Sequence, residues 1–259
     1  MLSCGAGPSR SNSYYLTVDS LRQGRVVGQF DKKFIMLVSN VRNHSQSSEE
    51  LSSQPPDNGS KESYIIAVDQ HAAHERILLE CFEKECLNYF EILSSKEDHE
   101  IRFSKKTSLR LSKQSVPDIF DLIKHEPAKL RLLLKYGFSA VFHCSALEQS
   151  ILVTMIPRVI PENHLSENLF KQVIISCLRP ILVNTEEPKS TIIQHIMQAI
   201  HPLLESRACH QAIRFGNKLN KIQMKKLIIE LSKCRIPFQC AHGRPTCTII
   251  TMINIKRHN

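Results

Sequence analysis

The residues Val68–Glu80, VDQHAAHERILLE, gather one Asp, one Gln, two His and two Glu within thirteen positions. His71 and Glu75 are four apart, so on a helix both project from one face. Asp69 would sit just below them, at the end of the apolar run that precedes. That set suits one or two divalent cations above a strand–helix junction. His74 is one step round the helix and points elsewhere, and Glu80 lies five beyond Glu75. A second cluster is CAHGRP, Cys240–Pro245, where Cys240 and His242 can converge on one ion from a tight loop. Gly243 permits the turn and Arg244 could grip a phosphate. A third candidate is Cys209, within RACHQAI. Thiolate and imidazole favour Zn²⁺, whereas carboxylates tolerate Mn²⁺ or Mg²⁺. The plainer alternative makes Cys209 and Cys240 core thiols and His71 and Glu75 a solvated face. Neither H-E-x-x-H nor H-x-x-E-H occurs here, so zinc peptidase signatures do not fit.

These residues need elements to position them. GRVVGQF (24–30) and FIMLV (34–38) read as two strands of a hairpin. YIIAVD (64–69) is apolar on both faces, as in a central strand. Leu78, Phe82, Cys86, Tyr89 and Leu93 then recur every three or four residues, the stripe of a core-facing helix. Between the hairpin and the central strand, Ser39–Ser63 is rich in Ser, Pro and charge and predicts a disordered insertion, as do residues 1–13. Ser115 and Pro117 read as the start of a helix, and 138–143 and 150–156 as two strands. A helix starts near Ser190, and LLESRACHQAIRFGN (203–217) then reads as a further helix ended by Gly216. Asn220 and Gln223 predict a capped helix over 221–233, with Met224, Leu227, Ile228 and Leu231 inward. CTIITMINI closes the chain as a strand.

The 259 residues, 42% of them hydrophobic, are enough for one domain or two small ones. A formal net charge of +9 suits a polyanionic partner. Residues 101–140 carry nine Lys or Arg against three acids, and this stretch reads as an inserted subdomain. Its cations, Lys105, Lys106 and Arg110 among them, either track a nucleic-acid backbone or form a solvated face. No run of about 18 apolar residues predicts a membrane span. The N-terminal residues show no apolar signal region, so the nine cysteines are expected to be reduced, in cytosol or nucleus.

The combined motifs resemble the C-terminal domain of the MutL homologues of DNA mismatch repair. DQHAAHERILLE fits that family's endonuclease pattern D-Q-H-A-x-x-E-x-x-x-x-E at Asp69, Gln70, His71, Ala72, Glu75 and Glu80. ACH (208–210) stands where the family has A-C-R, and CAHGRP where many members have C-P-H-G-R-P. Both departures, His210 and Ala241, resemble the third eukaryotic MutL homologue, the catalytic subunit of MutL-gamma. The three motifs come in the family's order across residues 64–253.

The resemblance implies an α+β fold with a split dimerisation subdomain, 14–97 and 186–259, around a regulatory or external subdomain, 98–185. It implies His71, Glu75, Cys209, Cys240 and His242 as ligands of Zn²⁺ and/or Mn²⁺. Asp69 would be the acid needed for cleavage, binding a second ion or orienting the water, with Gln70 beside it. The implied activity is nicking of double-stranded DNA: a metal gives hydroxide near neutral pH, and a second ion can stabilise the leaving 3′ oxygen. The implied setting is nuclear, in mismatch repair and meiotic recombination, as a heterodimer with the first MutL homologue. A sliding clamp is a further implied partner, but Gln149–Thr154 has Thr154 where the family's clamp motif has Pro. The rival reading is a non-catalytic dimerisation module with a structural zinc. Asp69 and Glu75 discriminate, because a structural zinc site has no need of two carboxylates.

Overall fold

The computed structural model describes residues 14–39, 42–43, 62–95, 104–146, 148–161 and 166–254. Residues 1–13 and 44–61, where disorder is expected from composition, lie outside the described residues. The edges of the second stretch are strand: Ser39 ends β3 and Ser63 belongs to β5, and both are buried. The fold is α+β, with antiparallel sheets and several helices. It divides into two compact units, residues 1–80 with 211–259, and residues 81–210.

The first unit is built on a four-stranded antiparallel sheet. Its strands are β2 (Arg25–Phe30), β3 (Phe34–Ser39), β5 (Glu62–Asp69) and β9 (Cys247–Asn254), in the order β2-β3-β5-β9. β2 and β3 form the expected hairpin, and β5 is central. A small two-stranded pairing of β1 (Tyr14–Tyr15) with β4 (Arg42–Asn43) adds to it. Alternation decides which face is buried: Ile35, Leu37, Ile66 and Val68 turn inward. Against them pack Leu21 from α1 (Val18–Arg22) and Met224, Leu227, Ile228 and Leu231 from α6 (Lys221–Leu231). The four α6 residues are the ones its periodicity turns inward. Asn220 caps that helix in a reciprocal box with Gln223, satisfying two otherwise orphaned backbone donors. The helix stops at Leu231, two residues before the expected end.

The second unit holds a three-stranded antiparallel sheet in the order β6-β8-β7: β6 (Ser104–Ser112), β7 (Ser139–Cys144) and β8 (Gln149–Pro157). Its helices include α3 (Pro117–His125), a 3-10 helix (Pro127–Tyr136) and α4 (Glu167–Val183). Two helices carry residues of both units: α2 (Gln70–Ser95) and α5 (Lys189–Gln211).

Three sequence expectations change. Residues 189–211 form one helix, because Pro202 is accommodated in its interior instead of ending it. That helix ends at Gln211; Gly216 lies beyond it, at φ +91, and donates its N–H to the Lys32 carbonyl at 3.0 Å. Val116, not Ser115, precedes α3, with no side-chain cap. Ser115 instead bonds the Ser112 hydroxyl at 2.9 Å.

Candidate metal centre

β5 runs into α2 with no intervening residue, and Asp69 makes the transition possible. Its Oδ1 accepts the N–H groups of His71 at 2.8 Å and Ala72 at 3.0 Å. These are the second and third residues of the helix, so Asp69 is its N-cap. The Cys240 loop arrives at the same end of the sheet because β9 pairs antiparallel with β5, Val68 opposite Cys247. The Asp69 N–H then donates to the Thr246 carbonyl at 2.9 Å. Sheet register therefore brings together residues about 170 positions apart. The loop itself is closed by a bridge between Gln239 and Pro245 and by Cys240 N–H donating to the Arg244 carbonyl at 2.8 Å. Gly243, at φ +79, takes the left-handed position this turn requires.

Ligand-type atoms of Glu75, Cys240 and His242 all lie within 4.8 Å of one another. Glu75 and Cys240 are 2% and 1% exposed, so a carboxyl group and a thiol share a nearly dry position. Glu75 Oε1 lies 2.5 Å from His242 Nδ1, and Oε2 lies 3.9 Å from His71 Nε2. Glu75 Oε1 nevertheless receives no hydrogen bond from the described residues. It touches the imidazole nitrogen without hydrogen-bond geometry. A buried carboxylate left so is costly unless a cation completes it.

The histidines supply a second test. His71 Nδ1 is 3.0 Å from the Ile213 carbonyl oxygen, which can only accept, so Nδ1 carries the proton. The Nε2 lone pair is thereby left on the Glu75 side. A backbone carbonyl on the far nitrogen is the usual support of a metal-binding imidazole. The same peptide donates its N–H to His74 Nδ1 at 2.9 Å. Burial above all holds the His74 pKa below its ordinary value, consistent with a neutral acceptor. Donor chemistry and burial fit a divalent metal at Glu75, Cys240 and His242, with His71 facing the other oxygen of Glu75.

Three residues support the centre from outside the ligand set, and of these Arg76 occupies no fixed position of the motif. Arg76 is 7% exposed and clamps the Cys240 loop to α2. Its Nε and Nη2 donate to the carbonyls of Gln239 and Cys240, both at 2.6 Å. Glu80 accepts the N–H groups of Arg235 at 2.7 Å and Ile236 at 3.2 Å, holding the segment that leads into that loop. Gln70 is fully buried; its Nε2 donates to the carbonyls of Lys32 at 2.9 Å and Arg214 at 3.1 Å, and its Oε1 accepts from Gln29 at 2.6 Å. The structure thus places Gln70 as a pin between three backbone segments.

The remaining sequence candidates are placed by their own elements. Asp69 is not part of the Glu75 group. Cys209 lies on α5, in the second unit, and is half-buried. Lys105, Lys106 and Arg110 lie on β6, also in the second unit. Lys105 Nζ donates to the Ile160 carbonyl at 2.6 Å, and Arg110 pairs with Glu148 at 2.8 Å. Arg244 is exposed, two residues beyond His242.

Over 248 residues, 90% of its length, the chain is 28% identical to the human (Homo sapiens) DNA mismatch repair protein Mlh3. It is 30% identical over 194 residues to the DNA mismatch repair protein MutL of Kosmotoga olearia, and 25% identical over 234 residues to that of Carboxydothermus hydrogenoformans. The matches cover 75% and 90% of the chain. The chain belongs to the MutL family. It corresponds to a MutL C-terminal region, and Mlh3 is among its relatives. It spans 15% of the length of the human relative and 27% and 31% of the two bacterial MutL proteins. No family model matches it. Among the described residues, no helix is long and apolar enough to cross a membrane.

Proposed function

We propose that this MutL-family chain is a metal-dependent endonuclease domain that nicks one strand of duplex DNA in mismatch repair. The observation that carries the reading is Glu75: a buried carboxylate with one oxygen against His242 Nδ1 and the other facing His71, beside the Cys240 thiol. His71, Glu75, Cys240 and His242 hold the ion, and Cys209 is the further ligand proposed from the family resemblance. When bound, a divalent ion supplies hydroxide near neutral pH and charge stabilisation at the phosphate. Asp69 fixes the helix end that carries His71 and Glu75 and contributes negative charge beside them. Arg76 and Gln70 hold the loops in place. Arg244, exposed beside His242, contacts a phosphate oxygen of the strand.

We propose further that the chain works as a heterodimer with the first MutL homologue, in the nucleus, with a role in meiotic recombination as well. The open face of the first unit's sheet supports a protein partner. Phe30 and Ile250 are 65% and 57% exposed. A pocket of about 520 Å³ beside them is lined by Phe34, Met36, Ala67 and Ile250. Clustered apolar surface of this kind marks an interface.

The test is plasmid nicking by the full chain with its MutL partner, in Mn²⁺ and in EDTA. Nicking that requires the metal supports the reading. Stoichiometric metal binding with no nicking in any divalent ion would favour a structural zinc module instead.

A further inference from the structure

Phe215 is not among the residues of the first unit's sheet core. It lies in the segment between α5 and α6 and is 49% exposed. Its neighbours Ile213 and Leu219 are the residues of that segment that pack on the sheet core. The Phe215 ring instead lies against His71, with centroids 5.7 Å apart and planes tilted by 54°. The segment is held rigidly for a loop. Gln70 Nε2 bonds the carbonyls of Lys32, Arg214 and, at 3.3 Å, Asn217, and Gln29 bonds Asn217 O and Leu219 N. The backbone segments that carry Lys32, Arg214 and Lys218 are therefore tied together at Gln70 and Gln29. All three are exposed, and among the described residues none pairs with a carboxylate.

An aromatic face flanked by unpaired cations is the combination that holds an exposed nucleotide. We propose that Phe215 is a base-stacking residue of the metal centre. A base of the strand held at the centre lies on its ring, while Lys32, Arg214 and Lys218 hold the neighbouring phosphates. The inference rests on the DNA-nicking reading for its ligand class. A paired base must leave its stack to reach the ring, so DNA with an unpaired segment binds better than uninterrupted duplex. Every base has a π-face, so the contact tolerates sequence.

The chain contains no Trp, so Phe215→Trp introduces a single indole reporter. The full-length variant is titrated, without divalent metal, with an oligonucleotide duplex carrying an unpaired segment and with a fully paired one. We expect indole quenching by both, saturating at lower concentration for the unpaired segment. Phe215→Ala should weaken binding of a labelled oligonucleotide on the order of ten-fold at fixed salt. It should leave Zn²⁺ content unchanged. Lys218→Gln should reduce the salt slope of binding by about one. Binding without quenching, or undiminished affinity in Phe215→Ala, would overturn the proposal. So would loss of metal from Phe215→Ala, which would make the ring a support for His71. Wild-type nicking is scored separately: quenching without nicking removes the endonuclease reading alone, and nicking without quenching removes the stacking role alone.

Discussion

His71 Nδ1 lies 3.0 Å from the carbonyl oxygen of Ile213, and that contact decides which imidazole nitrogen has a lone pair to offer. The carbonyl belongs to the first residue after α5 that packs on the sheet core, so the tautomer of a helix residue is set from 142 positions away in the chain. The side chain that benefits is Glu75, one helical turn on, whose Oε2 is 3.9 Å from His71 Nε2.

Glu75→Gln tests this relationship by shape-preserving loss of charge. The metal-free variant should be at least as stable as wild type, because a buried, unbonded carboxylate is unfavourable without a cation. Added Zn²⁺ or Mn²⁺ should raise the melting temperature of wild type and leave the variant nearly unmoved. Thermal denaturation with and without EDTA reads both effects. An equal metal-induced shift in the two proteins would remove Glu75 from the ligand set.

Asp69 has a structural task as well as a proposed chemical one, and two substitutions separate them. Asn also caps helices, so Asp69→Asn should keep the fold within a few tenths of a kcal/mol. Asp69→Ala should cost about 1 kcal/mol through the lost bonds to His71 and Ala72. Denaturant titration of the two variants distinguishes them.

Arg76 is the clamp between α2 and the Cys240 loop. Arg76→Met keeps the apolar stem and leaves the Gln239 and Cys240 carbonyls without their donors. The expected loss is about 2–4 kcal/mol in denaturant titration. Metal affinity should fall by roughly ten-fold or more, read by competition with a chelating dye.

The thiols should separate by burial. Burial pushes Cys86, Cys234 and Cys247 up to about 12, and Cys177 higher still. At pH 8 a thiol of that pKa is only about one part in ten thousand thiolate. These four should resist iodoacetamide in the native protein, with labelling that rises about ten-fold per pH unit. Exposed Cys144 should react first. Peptide mass spectrometry after timed labelling gives the order.

Gly137 tests the second unit on its own. Its φ is +78, and a Cβ there would collide with the Tyr89 hydroxyl and approach Ser104 Oγ at 3.2 Å. Gly137→Ala should destabilise that unit by about 2–3 kcal/mol, from backbone strain and the displaced Tyr89 together. Hydrogen exchange should place the loss within residues 81–210.

The strands and helices that bear the motifs were legible because local pattern and tertiary role agree there. The hairpin, the apolar β5 and the Asn220–Gln223 cap each have one reading. The basic stretch at 104–112 hid β6, whose Leu109 and Leu111 are buried while its charges point out. There the cations drew attention away from a period of two. α4 left no expectation, although Ser166 caps it and its apolar stripe is strong. At the metal centre, ligand types could be read from spacing, because side chains four apart on a helix share a face. The roles of Gln70, Arg76 and Ile213 could not, since each acts through backbone atoms that only the sheet register brings near.

The most direct measurement is nicking of supercoiled plasmid in Mn²⁺ by the full chain with its MutL partner, comparing wild type, Asp69→Asn and Glu75→Gln at matched protein. Metal content is measured on the same samples. The account predicts nicking by wild type, loss of nicking with metal loss in Glu75→Gln, and loss of nicking with fold and cap retained in Asp69→Asn. Equal nicking by all three proteins would contradict it.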